Sequence, residues 1–163
     1  MPDFWIDTCC LIDPYRVWYK FDVVPGYWTF LENGNNTGLL SSCRLVYEEL
    51  EKGQLDELVR WARQQRDSGF FVEPDDPVMA FVGAIGEYVR SLPFEEPAKQ
   101  EFMDGADPWL IAHAKVHGGT IVTQENTKGA AARPKIPVIA QHFGLAKPLT
   151  APELLRSLNV KFQ

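Results

Sequence analysis

The chain has little cysteine, no long apolar run and no excess of positive charge, and each shortage removes a class of protein. Three cysteines in 163 residues are too few, and odd in number, for a disulfide framework, and no CxxC spacing offers a zinc knuckle or a thioredoxin-type site. Cys9, Cys10 and Cys43 therefore read as reduced thiols. Nothing approaches the ~20 consecutive apolar residues of a membrane-spanning helix. The opening Met1-Pro2-Asp3 is acidic where an export signal is basic, so the expected location is the cytoplasm, with no membrane partner. With 16 Lys and Arg against 22 Asp and Glu the net charge is −6, the wrong sign for gripping nucleic acid by charge alone. Any handling of phosphates needs local neutralisation of acids, for which a divalent cation is the simplest source. No GxxxxGK[ST] or GxGxxG loop is present to cradle a nucleotide.

What is there is ordinary for a folded protein: 45% hydrophobic and 23% charged residues, in a length that suits one domain spanning residues 1–163. Apolar periodicity alternates between strand-like and helix-like stretches. Strands are expected at 4–6, 39–41, 70–72 and 120–123, with a short edge strand at 136–139 because of Pro137. Helices are expected at about 25–32, from an N-cap at Ser42 to Glu51 with Gly53 as the stop, and at 54–67, 78–92, 107–117 and 152–158. A polar turn is expected at 33–38. Strands separated by helices predict an α/β class: a three-layer α/β/α fold around a mainly parallel sheet of four to five strands.

In a parallel sheet ligands gather at the carboxyl ends of the strands. Asp7 follows the first strand directly, and Glu125 comes two residues after the strand ending at Thr123, so both acids are expected at one sheet edge. In Val46-Tyr47-Glu48-Glu49-Leu50, helical spacing separates two acids. Glu48 has Arg44 and Lys52 four residues to either side, a solvated stripe, whereas Glu49 shares a face with Leu45 and Val46. A carboxylate turned inward is costly unless it is paired or bound to a metal, which makes Glu49 the candidate. Asp107-Pro108 has the form of an N-cap followed by proline at the first helical position, but its surroundings, Gly105-Ala106 and Trp109-Leu110-Ile111-Ala112, are small and apolar. Asp104 is a further candidate ligand, or else part of a solvated acidic loop with Glu95, Glu96 and Glu101. Carboxylates meeting at one rim raise one another's pKa unless a cation joins them, and an all-oxygen set suits Mg²⁺ or Mn²⁺ rather than Zn²⁺.

Ile6-Asp7-Thr8, Glu49-Leu50, Ala106-Asp107 with the following Leu110-Ile111-Ala112-His113-Ala114, and Val122-Thr123-Gln124-Glu125 together resemble the motif series of PIN-domain ribonucleases, in order and spacing, over nearly the whole chain. The size is similar to that of the stand-alone toxins of toxin–antitoxin pairs. The resemblance implies a PIN-like fold and a Mg²⁺- or Mn²⁺-dependent endoribonuclease that leaves 5′-phosphate and 3′-hydroxyl ends. By position, Asp7, Glu49, Asp107 and Glu125 would be its metal-binding and catalytic acids, and Thr8 and Thr123 its supporting hydroxyls. It further implies an RNA substrate, a cognate antitoxin and a tendency to homodimerise. Two features depart from the pattern: the fourth acid, commonly Asp, is Glu125 here, and residues 13–38 are long and aromatic-rich.

Lys128, Arg133 and Lys135, in an acid-free Gly/Ala-rich loop, are candidate RNA-binding residues beside the proposed metal edge. The aromatics of residues 15–30, interleaved with Arg16 and Lys20, can either stack bases or form a helical pair closing over the core, and the latter is the stronger expectation. His113 and His117 stand four apart but lack the Glu of HExxH, which favours a helix-face pair over a metal site. The principal alternative function is a non-catalytic PIN-like module that binds RNA or protein.

Overall fold

The short apolar run Phe4-Trp5-Ile6 lies at the centre of the sheet with Trp5 and Ile6 buried on opposite faces, which is what a central parallel strand requires. The computed structural model describes residues 1–162. Four strands, β1 (Phe4–Ile6), β2 (Leu40–Cys43), β3 (Phe71–Val72) and β4 (Thr120–Val122), form one all-parallel sheet in the order β3-β2-β1-β4. In the register, Phe4 lies opposite both Leu40 and Thr120. β1 and β2 are thus interior strands, and helices cover the sheet on both faces to give a three-layer α/β/α architecture.

Side chains alternate across a strand. Trp5 turns to the face covered by α7 (Asp107–His117), where its ring lies 4.8 Å from that of His113. Against α7 pack α5 (Asp76–Arg90), α6 (Glu96–Asp104) and α8 (Ile136–His142). The other layer contains α1 (Cys9–Asp13), a π-helical turn over Pro14–Trp18, α2 (Pro25–Asn36) and α4 (Asp56–Asp67). There the Trp28 and Trp61 rings meet edge to face at 5.0 Å. Two further helices, α3 (Arg44–Lys52) and α9 (Ala151–Ser157), follow β2 and close the chain. Among the described residues no helix is long and apolar enough to cross a membrane.

Several local expectations are corrected. Ser42 is a strand residue whose hydroxyl donates to the Ile6 carbonyl at 2.5 Å, and the position flanking α3 is Cys43. Residues 136–139 belong to α8 rather than to an edge strand. Pro137 lies in the first turn of α8, where its missing N–H leaves no helical bond unmade. The outer side of β4 is met by a single residue, Leu149, whose amide donates to Ile121 at 3.0 Å and whose carbonyl accepts from Thr123 at 2.8 Å. The acidic stretch after Glu95 is helical, forming α6. Most of the aromatic segment closes over the core, with Trp18 left 42% exposed: Tyr27 and Trp28 are buried, the Tyr27 hydroxyl donating to Cys10 O and the Trp28 indole to Tyr19 O, each at 2.6 Å.

The helix begun at Pro25 also runs through the expected polar turn as far as Asn36. Gly34 lets it do so, because a Cβ there would stand 2.6 Å from Leu40 Cγ and 2.7 Å from Cδ2, in the core. Replacing a helical glycine by alanine ordinarily gains about 0.5–1 kcal/mol. Here overpacking against fully buried Leu40, a cost of typically 1–3 kcal/mol, outweighs it. Gly34→Ala should therefore lower the midpoint of urea or thermal unfolding, and a raised midpoint would contradict this packing.

Candidate active site

All four strands run the same way, so their carboxyl ends, and the segments leaving them, share one rim. Asp7 follows β1 directly, β2 leads into α3 and Glu49, β4 leads through Thr123 to Glu125, and α7 opens on Asp107. The acids come from four separate places in the chain, and a web of hydrogen bonds ties three of them together.

Asp7 is only 4% exposed. Its Oδ1 accepts the Thr8 amide at 2.7 Å, and its Oδ2 accepts the Thr123 hydroxyl at 2.7 Å and the Cys9 thiol at 3.2 Å. Glu49 is held at both oxygens: Oε2 accepts the Thr8 hydroxyl at 2.6 Å and Oε1 accepts the Ala106 amide at 2.8 Å. One threonine, Thr8, therefore bridges two acids. Glu125 Oε2 accepts the Ile136 amide at 2.9 Å, while the Glu125 amide donates to Thr123 Oγ1 at 3.1 Å. Gly105 makes room for this arrangement, since a Cβ there would lie 3.1 Å from Glu49 Oε1.

Asp107 differs from the rest. It is the first residue of α7 rather than its cap; the flanking position is Ala106, which has no side chain to cap with. Glu49 instead supplies a carboxylate to the Ala106 amide from another helix. Among the described residues the Asp107 carboxylate accepts no hydrogen bond and pairs with no cation. Burial, then the like charges of Asp7, Glu125 and Glu49, push its carboxyl up to about 9, against a weaker opposing pull from Lys135. Burial likewise raises Asp7 to about 6, with its hydrogen bonds from Thr123 and Cys9 opposing and the charge of Glu125 adding.

Glu49, Asp107 and Glu125 line a cleft of about 250 Å³ together with Phe102, Gly105 and Arg133. Glu101 lines it too, a residue the sequence reading left in an acidic loop. Asp104 does not join them: it is exposed at the end of α6 and accepts a bond from Gln100 at 2.7 Å. Glu48 stays in the solvated stripe, 3.5 Å from Arg44. Of the three loop cations, Lys128 and Arg133 are exposed. Lys135 is only 6% exposed, because the chain turns inward there to begin α8 at the fully buried Ile136, so it is not part of an open basic face. The histidines diverge. His117 pairs with Asp75 at 2.7 Å, whereas His113 is wholly buried with neither ring nitrogen partnered, and burial pushes it down to about 4.

Sequence reasoning missed Cys9, although its place two residues after Asp7, in the first turn of a helix, puts its thiol beside that carboxylate. Among the described residues no three His, Cys, Asp or Glu side chains stand in a ready-made metal-ligand arrangement. The donor set nonetheless fits Mg²⁺ or Mn²⁺. It is all carboxylate, it contains one half-buried acid with no partner, and a hard ion of this kind keeps several waters and needs only one or two direct carboxylates.

Residues 4–162 match the family described as Domain of unknown function (DUF4411), and the chain belongs to that family. No curated protein and no solved structure matches the chain.

The raised acids set a pH dependence. An acid whose folded pKa lies above its unfolded value contributes stability at low pH that is lost as pH rises toward the folded pKa. His113, depressed from 6.5 to about 4, works the other way, adding stability as pH rises toward 6.5. Above that, Asp107 acts alone among these three groups. Without metal, the protein should lose stability between about pH 6.5 and 9 with a slope of at most ~1.4 kcal/mol per pH unit. Asp107→Asn should flatten that slope in chelator-treated samples; an unchanged slope would locate the titration elsewhere.

Proposed function

We propose that the chain is a divalent-metal-dependent endonuclease that hydrolyses phosphodiester bonds of single-stranded RNA. The observation that carries this reading is Asp107, a carboxylate without a hydrogen-bond partner in a cleft it shares with Glu49 and Glu125, and under the charge of Asp7. A structural acid in such a place is expected to be paired. The other three are already fixed by the side chains of Thr8, Thr123 and Cys9 and by three backbone amides, those of Thr8, Ala106 and Ile136, which is preorganisation around a charge yet to arrive.

Mg²⁺ or Mn²⁺, held by Asp7 and Asp107 and completed by Glu49 and Glu125 directly or through water, would supply Lewis acidity toward water and the phosphoryl group. The residues of the chain do the rest. Thr8 and Thr123 keep the carboxylates of Asp7 and Glu49 in fixed orientation. Arg133 at the cleft wall and exposed Lys128 on the same loop attract and orient the backbone phosphates, which the net charge of −6 would otherwise repel. Phe102 offers an apolar surface beside the acids. The narrower assignment, a PIN-like toxin with a cognate antitoxin and a homodimeric state, is supported by the motif resemblance alone.

A second reading, a binding module without catalysis, is favoured by the lack of a ready-made three-ligand group among the described residues. The two part in a cleavage assay on single-stranded RNA. The nuclease should cut with Mn²⁺ or Mg²⁺, stop with EDTA, and fall by about 10²- to 10³-fold or more in Asp7→Asn, the scale of losing one group that stabilises transition-state charge. RNA binding with no metal-dependent cleavage, or cleavage unaffected by Asp7→Asn in a folded sample, would establish the module instead.

A further inference from the structure

We infer that a groove where residues 15–22 meet α2 and α4 holds a short stretch of the single-stranded RNA, apart from the acid cleft. The inference rests on the RNA substrate proposed above, though not on the metal or on cleavage. Two cavities of about 510 Å³ each adjoin there, a size within the range of small-ligand sites. They share Phe21 and Glu57, and neither has a residue in common with the cleft of Glu49, Asp107 and Glu125. Phe21 is half-buried. Its ring stacks on Trp28 at 4.2 Å and 23°, and meets Tyr15 edge to face at 5.7 Å. The junction of the two cavities is therefore a braced aromatic platform rather than a loose surface ring.

Arg16 and Lys20 line one cavity and Arg60 the other. All three are exposed, and among the described residues their side chains make no hydrogen bond and no ion pair. By contrast, Arg44, Arg63, Arg66 and Arg90 each have a carboxylate within 3.5 Å. Asp22 and Glu57 line the same groove without pairing with its cations, while Glu32 accepts the Trp61 indole at 2.9 Å. Free cations beside an aromatic platform suit the phosphates that flank a stacked base, and carboxylates accept from base amino groups. A nucleotide of a single strand presents phosphate, ring and amino group together. An acidic peptide has no use for the carboxylates, and a duplex keeps its bases stacked within the helix.

The test is a fluorescence-anisotropy titration of the whole chain with a labelled single-stranded RNA of about 12 nucleotides, in EDTA so that nothing is cut. Arg16→Gln/Lys20→Gln should bind about tenfold more weakly, and its slope of log affinity against log salt should be shallower by about 1.4, the share of two phosphate contacts. The pair Arg90→Gln/Lys115→Gln removes the same charge from the other helical layer and should stay within about twofold of wild type. Phe21→Leu should lose about fivefold or more, the scale of one stacked base, and Phe21→Tyr should bind as wild type does. No binding by wild type, equal losses in the two charge pairs, or full binding by Phe21→Leu overturns the inference. So does polyglutamate that competes as well as unlabelled RNA, which would mark a plain anion surface. If Phe21→Leu does not fold, the two charge pairs and their salt slopes decide. Groove binding without metal-dependent cleavage supports the inference and removes the nuclease reading; cleavage by a chain whose groove variants bind RNA as wild type does the reverse.

Discussion

Carboxylates brought together away from water repel one another, and the rim of this sheet is built around that repulsion. Asp7 is the pivot. It directly follows β1, an interior strand covered on both faces, and it is 4% exposed. Its tolerance depends on three donors, the Thr8 amide, the Thr123 hydroxyl and the Cys9 thiol, contributed by its own helical turn and by the end of β4. The pairing of β1 with β4, which sets Ile6 opposite Val122, is what brings Thr123 within reach. Sheet register and acid geometry are therefore one constraint: a slip between those strands would leave a buried carboxylate short of a donor.

Much of this was legible because it follows from local rules. The apolar Phe4-Trp5-Ile6 run, the helix over 107–117 and the inward turn of Glu49 against the solvated Glu48 follow from periodicity and caps, which act within one or two helical turns. The convergence of Asp7, Glu49, Asp107 and Glu125 follows from parallel topology once strands and helices alternate. What stayed hidden depends on partners distant in sequence. Ser42 has the composition of a cap, but its hydroxyl is taken by the Ile6 carbonyl across the sheet. Pro137 suits an edge strand or the first turn of a helix equally well, and the neighbouring Leu149 decides between them. Asp104 and Glu101 are three apart on one helix, and only tertiary packing sets Glu101 at the cleft and Asp104 away from it. The backbone donors, Ala106 and Ile136, carry no signature in their side chains at all.

The aromatic segment shows the same limit from another side. Composition alone allows Tyr27 and Trp28 to stack on bases or on one another. Each has a polar tip, and in the fold both tips find carbonyls, those of Cys10 and Tyr19, so the rings are free to be buried. The segment that departs from a compact pattern thus serves as a second layer over the sheet. Arg133 lines the acid cleft and Lys128 is exposed on the same loop; on the proposed reading this placement, rather than total charge, lets an acidic chain meet a phosphate-bearing partner.

The cost of this arrangement falls on Asp107. Glu49 reaches across from α3 to take the Ala106 amide. The Trp109 and Leu110 amides, which an acid at position 107 would otherwise cap, both donate to the Ala106 carbonyl at 3.0 Å, so Asp107 is relieved of the task that an acid before proline at a helix start normally performs. A carboxylate freed in this way, half-buried beside three others, is destabilising in proportion to its charge. Local stability would be better served by a neutral residue. On the reading proposed above, the charge that offsets it is a divalent cation, met by acids whose orientation Thr8, Thr123 and the Ala106 amide already fix.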